Sequence, residues 1–169
     1  MTARLLERLS GVSAILAGLL RIISSFVVLD PMATEAVYLA TDLLILFGLV
    51  GIYLSRATQM GWLGLIGFVL ALSGSAMIVG PDGYFFAVSG YQLGAGLLTL
   101  GLTLIAAAAL ASKSYPVWIP LLWIATFLAG IATTAMPKGE TAFLLAGVLF
   151  GASFIAAGYE LLREPSSNS

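Results

Sequence analysis

Six long apolar runs, separated by short polar connections, constrain this sequence more than any other feature. A helix needs about 20 apolar residues to cross the hydrocarbon core of a bilayer, and only 9% of the 169 residues are charged. We therefore expect an all-α, polytopic membrane bundle of six transmembrane helices. The predicted spans lie near residues 9–29, 36–55, 61–80, 85–111, 117–136 and 141–162. They form a single domain over residues 1–164, followed by a disordered polar tail at 165–169.

One apolar helix and the turn that follows it recur after 56 residues. The segment 62–83, WLGLIGFVLALSGSAMIVGPDG, aligns with 118–139, WIPLLWIATFLAGIATTAMPKG, and both end in Pro-x-Gly. The identical pairs are Trp62/Trp118, Leu65/Leu121, Leu72/Leu128, Gly74/Gly130, Ala76/Ala132, Pro81/Pro137 and Gly83/Gly139. A fixed period of this size indicates repeated supersecondary units. With a further turn at Asp30-Pro31, the repeat predicts three helical hairpins over about 6–61, 62–117 and 118–164.

The repeated pattern, W-x-x-L-x(6)-L-x-G-x-A-x(4)-P-x-G followed by a Gly-rich helix, resembles that of the HdeD-type acid-resistance membrane proteins of bacteria. The resemblance covers Trp62 to Gly101 and Trp118 to Gly158. It implies six helices in three related hairpins, and a small inner-membrane protein with a stress or envelope role and no established catalytic residue.

Composition excludes several classes of function. The chain has no cysteine and no histidine, so thiolate chemistry is impossible and the usual general base and metal ligand are missing. A net charge of −1 argues against nucleic acid as a partner. No phosphate-binding loop or nucleophile elbow is present. We therefore expect no catalytic residue, no metal site, no cofactor and no enzymatic activity.

The basic residues predict the orientation in the membrane. They lie almost entirely on one side of the predicted bundle, at Arg4, Arg8, Arg56, Lys113 and Arg163, with Lys138 on the other. Because cytoplasmic loops are enriched in Lys and Arg, we expect a bacterial inner-membrane protein with both termini in the cytoplasm. Four aromatic residues at the same boundary, Tyr53, Trp62, Tyr115 and Trp118, are expected to be interfacial anchors. Glu160 and Arg163 are expected to reach toward water from that boundary.

Arg21 and Asp42 are the charged residues that fall well inside predicted spans. Counted from the first turn, both lie about 15 Å along their helices at 1.5 Å per residue, so they should share one depth. An unpaired charge at the centre of a membrane helix costs at least about 2.5–3.5 kcal/mol. The sequence therefore predicts an intramembrane ion pair between Arg21 and Asp42.

A polar cluster facing the bundle interior is predicted around this pair. It comprises Arg21, Asp42, Gln92, Ser73, Thr41 and Tyr38, with Ser24 and Ser25 nearby. Two hypotheses remain open. The pair fixes the register of the first two helices in a structural, stress-related or interaction protein, or the cluster forms part of a transporter or channel for a small solute or ion.

Small residues recur at helical spacing in several runs, including Gly90/Gly94 and Gly147/Gly151. Such residues let helices approach closely in lipid. Packing within one subunit is the favoured interpretation, and a homo-oligomer through these glycine faces is the alternative. The bilayer itself is the other expected partner.

Overall fold

The computed structural model describes residues 3–27, 30–79, 84–85, 88–135 and 140–163. Within these residues the chain is almost wholly helical. The helices, numbered in chain order, are α1 (Ala3–Ser24), α2 (Pro31–Leu54), α3 (Ala57–Val79), α4 (Gly90–Ser112), α5 (Trp118–Ala135) and α6 (Glu140–Arg163). Two short strands, β1 (Tyr84–Phe85) and β2 (Val88–Ser89), precede α4. The two Pro-x-Gly turns and the tail lie outside the described residues, as does Lys138.

Local chemistry explains where α2 and α4 begin. The carboxylate Oδ1 of Asp30 accepts a hydrogen bond from the amide of Ala33 at 3.0 Å, and Pro31 occupies the first turn, so α2 starts five residues before the predicted position. The predicted helical start at residue 85 is wrong. Tyr84 instead pairs with Ser89 in an antiparallel hairpin, and the Ser89 hydroxyl caps α4 through the amide of Gln92.

Four helices are long and apolar enough to cross a membrane: α2, α3, α4 and α6. The described part of α5 is an apolar helix of fewer residues, Trp118–Thr133. α1 contains four charged residues, Arg4, Glu7, Arg8 and Arg21, among its 22. The composition of the helices is that of a membrane protein, with four of the six predicted spans supported by length and hydropathy.

The helices form a ring in chain order. Each packs against the next, and α6 returns to pack against α1. Because neighbours are antiparallel, both short connections, Ser55–Arg56 and Lys113–Val117, lie at one end of the bundle. We call this the connection end, and we call the opposite end, which contains Asp30 and the β1–β2 hairpin, the turn end.

Glycines bring α1 and α6 into backbone contact. Gly11 faces Gly158, and Gly18 faces Gly151 one heptad along. A methyl group added at Gly151 would lie only 2.6 Å from the carbonyl oxygen of Gly18, well inside van der Waals contact. In lipid, where apolar burial gives no preference for protein over solvent, close packing of this kind drives helix association.

The same arrangement joins α3 and α4. Gly67 faces Gly101 and Gly74 faces Gly94, again seven residues apart on each helix. A methyl group at Gly67 would lie 2.7 Å from the Gly101 carbonyl oxygen, and one at Gly94 would lie 2.8 Å from that of Gly74. Glycines therefore line both the α1–α6 and the α3–α4 seams, and Gly48 and Gly51 of α2 likewise pack against Ala14 and Ser10 of α1.

The core lies toward the connection end. Its largest fully buried apolar side chains are Trp123, Phe154, Leu49, Ile52, Leu102, Ile105 and Ile119. All seven belong to the half of their helix nearest that end. By contrast, residues 31–40 of α2, 127–133 of α5 and 141–146 of α6 contain no buried side chain. The bundle is thus tightly packed at the connection end and more open at the turn end.

Replacing Gly18 by alanine should destabilise the protein by about 1–3 kcal/mol, the usual cost of overpacking, because the new methyl group meets the Gly151 carbonyl oxygen. Gly96→Ala is the matched control, since there is open space beside that glycine. Denaturant unfolding in detergent micelles measures the difference. Equal stability of the two variants would contradict the close α1–α6 contact.

Candidate functional site

Arg21 and Asp42 lie at the same depth in neighbouring helices. Gly48 of α2 faces Ala14 of α1. Extending this antiparallel register by two turns brings Arg21 opposite residue 41, one position from Asp42. Both side chains are half-buried. They belong to the half of the bundle that leads to the turn end.

Arg21 and Asp42 are within electrostatic range of each other but are not in direct contact. The positive charge of Arg21 is near enough to act on the Asp42 carboxylate, but among the described residues the two form no direct salt bridge. The guanidinium instead turns toward α6, where its Cζ lies 5.5 Å from the centre of the Phe143 ring. Gly147 leaves room for it, since a methyl group there would lie 3.7 Å from Arg21 Nε. The predicted direct ion pair is therefore not formed, and the guanidinium lies beside the Phe143 ring instead.

The other residues predicted for the polar cluster are dispersed. Thr41 is buried, and its hydroxyl donates to the carbonyl of Val37 within its own helix at 2.7 Å. Tyr38, Ser73 and Gln92 are exposed on the outside of the bundle. These residues share a depth along their helices, but depth does not determine which face of a helix a residue occupies.

The hydroxyls of Ser24 and Ser25 also form hydrogen bonds within their own segment of the chain. Their hydroxyls donate to the backbone carbonyl of Arg21 at 3.0 and 2.9 Å. Ser25 also lies beside Gly147, whose added methyl group would meet its hydroxyl at 2.9 Å. The structure therefore brings Arg21 and Ser25 together with Phe143 and Gly147 of α6. Asp42 lies on α2 at the same depth as Arg21, without direct contact with it.

A second polar site, which the sequence did not predict, lies at the connection end. Arg56 sits in the two-residue connection between α2 and α3 and is only 8% exposed. Its Nη1 donates to the backbone carbonyl of Ser114 in the α4–α5 connection. Its Cζ lies 4.3 Å from the centre of the Tyr115 ring, close enough for a cation–π interaction in a desolvated setting.

Tyr115 continues this site into the core. The ring is 4% exposed, its hydroxyl donates to the carbonyl of Ile52 at 2.9 Å, and its edge meets Trp123 at 5.8 Å between ring centres. We call Arg56, Ser114 and Tyr115 the connection clamp, because together they tie one interhelical connection to the other. Tyr115 was expected to be an interfacial anchor, and that expectation is wrong for this reason.

The remaining boundary residues divide into two groups. Trp62 and Trp118 are 80% and 50% exposed, as anchors at a membrane interface would be. Tyr53, however, is buried and stacks on Phe68 of α3 at 4.3 Å between ring centres. Glu160 is largely buried too, and Arg163 approaches it from the surface at 3.9 Å.

The sequence carried no signal that distinguishes the connection clamp from ordinary boundary residues, and the cause of the burial is visible only in the structure. Only two residues separate α2 from α3. Because the connection is so short, the backbone of Arg56 stays close to the bundle, and its side chain does too. The backbone then breaks at Gly61, whose φ of 57° ends the first helical turn of α3. Lys113, also at a positive φ of 55°, turns the other connection.

Comparison with known proteins gives no relative: no protein-family model, no curated protein and no solved structure matches the chain.

Arg56→Gln should lower the free energy of unfolding by about 2–3 kcal/mol, since it removes a buried hydrogen bond from a charged donor and a cation–π contact. Tyr115→Phe keeps the ring and should cost about 1 kcal/mol through loss of the hydroxyl hydrogen bond alone. Unfolding in detergent micelles measures both. Arg8→Gln removes the same charge from an exposed position and is the control. Arg56→Gln unfolding at the same denaturant concentration as Arg8→Gln would argue against the clamp.

Proposed function

We propose that this chain is a small, non-catalytic, multi-pass protein of the bacterial inner membrane, with six spans in three hairpins and a structural, stress-related or interaction role. The observation that carries the proposal is the packed connection end. Seven large apolar side chains fill the interior there, and the connection clamp closes the bundle beyond them. A core of this kind supports a stable membrane scaffold and opposes a continuous aqueous path from one side to the other.

The distribution of charge supports the proposed orientation. Arg56, Lys113 and Arg163 all belong to the connection end, together with the helix terminus that carries Arg8. Asp30 and Glu35 lie at the turn end. The positive-inside rule then puts the connection end and both termini in the cytoplasm.

The stress-related part of the role depends on the resemblance of the hairpin pattern to HdeD-type membrane proteins. The described glycines refine the idea of an oligomer. Gly94, Gly147 and Gly151 contact other helices of the same chain, so a homo-oligomer would use other faces. Gly96 and Gly130 have open space beside them and are the small residues best placed for contact with a second copy.

A second candidate function is transport of a small solute or ion. The observation that favours it is the open turn end, where Asp42 and Arg21 are half-buried and lack a mutual salt bridge. Ionisable residues inside membrane helices often mark substrate or proton routes. A carboxylate that is not neutralised by a direct partner is available to bind a cation or proton.

Asp42→Asn distinguishes the two functions. With a scaffold role, wild-type protein in vesicles should pass no more protons under an imposed pH gradient than protein-free vesicles do. The variant should then alter only the yield of folded protein. With a transport role, the wild type should carry protons and Asp42→Asn should abolish the flux at normal yield. A pH-sensitive dye inside the vesicles reports the flux.

Glu35→Gln is the control for this experiment, because it removes an exposed carboxylate from the same helix. Proton flux that is present in the wild type, retained in Glu35→Gln and lost in Asp42→Asn would overturn the scaffold proposal. Flux at the background level in all three proteins would overturn the transport proposal for protons.

A further inference from the structure

The helices α3 and α4 form one tightly joined unit. Their glycine seam extends from the Gly67–Gly101 pair to the Gly74–Gly94 pair, and among the described helices this pair has the most extensive contact. Closely packed helices do not deform gradually against each other, so we expect α3 and α4 to move together as a rigid body. We call this unit the α3–α4 lobe.

The lobe is joined to the remaining helices more loosely. Contacts of α2 with α3 and of α4 with α5 are much less extensive than the contact inside the lobe. Among the glycines that the structure describes, none brings α2 against α3 or α4 against α5. The Tyr53–Phe68 stack joins α2 to α3, and Tyr53 lies in the last turn of α2, next to the connection.

Both covalent links between the lobe and the other helices lie at the connection end. Residues 55–56 lead into α3, and residues 113–117 lead out of α4. The connection clamp bridges them, since Arg56 in the first link bonds to Ser114 and stacks on Tyr115 in the second. The lobe is therefore fixed at one end by chain, clamp and core.

Within the part of the chain that the structure describes, the start of α2 is poorly buried at the turn end. Residues 31–40 of α2 contain no buried side chain. Asp42, Leu49 and Tyr53 fall on one stripe of α2, spaced by seven and four residues, and Tyr53 shows that this stripe faces α3. Asp42 is thus on the α2 surface beside the loosely packed seam.

From this arrangement we propose that the α3–α4 lobe pivots as one body about the connection clamp, opening the seam between α2 and α3 at the turn end. The opening uncovers Asp42 and leaves the packed connection end closed. The motion separates apolar surfaces that lipid or water then covers, and it breaks none of the glycine contacts. It requires neither of the functions proposed above.

Pairs of spin labels test the motion, because the chain has no cysteine and introduced cysteines are the sole labelling sites. Three pairs of exposed positions in reconstituted protein are compared. Leu39 and Ala76 lie on opposite sides of the α2–α3 seam toward the turn end, and Leu54 and Leu63 lie on opposite sides of it at the connection end. Val69 and Leu100 both belong to the lobe. Pulsed electron paramagnetic resonance gives the distance distribution of each pair.

The expected result is one narrow distance for Val69/Leu100 and for Leu54/Leu63, and a broad or two-component distribution, extending to longer distances, for Leu39/Ala76. Arg56→Gln should broaden the Leu54/Leu63 distribution and leave Val69/Leu100 narrow. If Arg56→Gln yields too little folded protein, Tyr115→Phe is used as the milder variant. It should broaden the Leu54/Leu63 distance distribution by a smaller amount. Arg8→Gln should change none of the three.

Two results would overturn the proposal. The first is a Leu39/Ala76 distribution as narrow as that of Val69/Leu100, which would mean that the seam stays closed. The second is a Leu54/Leu63 distribution that is unchanged in the clamp variant, which would mean that the clamp is not the pivot.

Discussion

Direct backbone contact at glycines is the interaction on which the rest of this structure depends. In a bilayer, burying a leucine against a neighbouring helix gains little over leaving it in lipid, so helices associate where their backbones fit closely. Gly11 and Gly18 of α1 are each 56 residues before Gly67 and Gly74 of α3, which is also the spacing of the repeated segment. The same glycine positions thus serve two different pairings, α1 with α6 and α3 with α4.

The two ends of the bundle differ in how deeply they bury their side chains. The large buried side chains all gather near the connection end, where the connection clamp secures the chain between helices. Toward the turn end the helices expose more of their surface, and the half-buried charges of Arg21 and Asp42 occur there. A closed end and an open end on the same small bundle are what the proposed scaffold role requires, and a binding role would have to be located at the open end.

The main features of the fold could be predicted from the sequence, because they follow from local chemistry. Apolar length predicted the helices. Asp30-Pro31 was expected to be a turn ahead of a span that begins at residue 36, and the structure shows it to be the cap and first-turn proline of α2. The shared depth of Arg21 and Asp42 followed from counting residues at a fixed rise. Contacts between distant segments could not be obtained in this way. Nothing in the pattern indicates that α1 packs on α6, or that the Arg21 guanidinium lies beside Phe143 of α6.

The burial of Arg56 and Tyr115 was missed for a related reason. A basic residue and a tyrosine near helix ends fit the usual composition of a membrane interface, and composition cannot report a side chain that turns inward. That inward orientation depends on the conformations of the short connections, such as the positive φ of Lys113 between α4 and α5. Backbone geometry of this kind is settled by tertiary packing, which the repeat and the hydropathy do not describe.

A double-mutant cycle between Gly18 and Gly151 tests the central claim most directly, because it measures whether the two backbones meet. Either alanine alone should force α1 and α6 apart. The account therefore predicts that the second alanine costs far less than the first, with a coupling energy of about 1 kcal/mol or more. Costs that simply add, as they should for the distant pair Gly18 and Gly74, would contradict it.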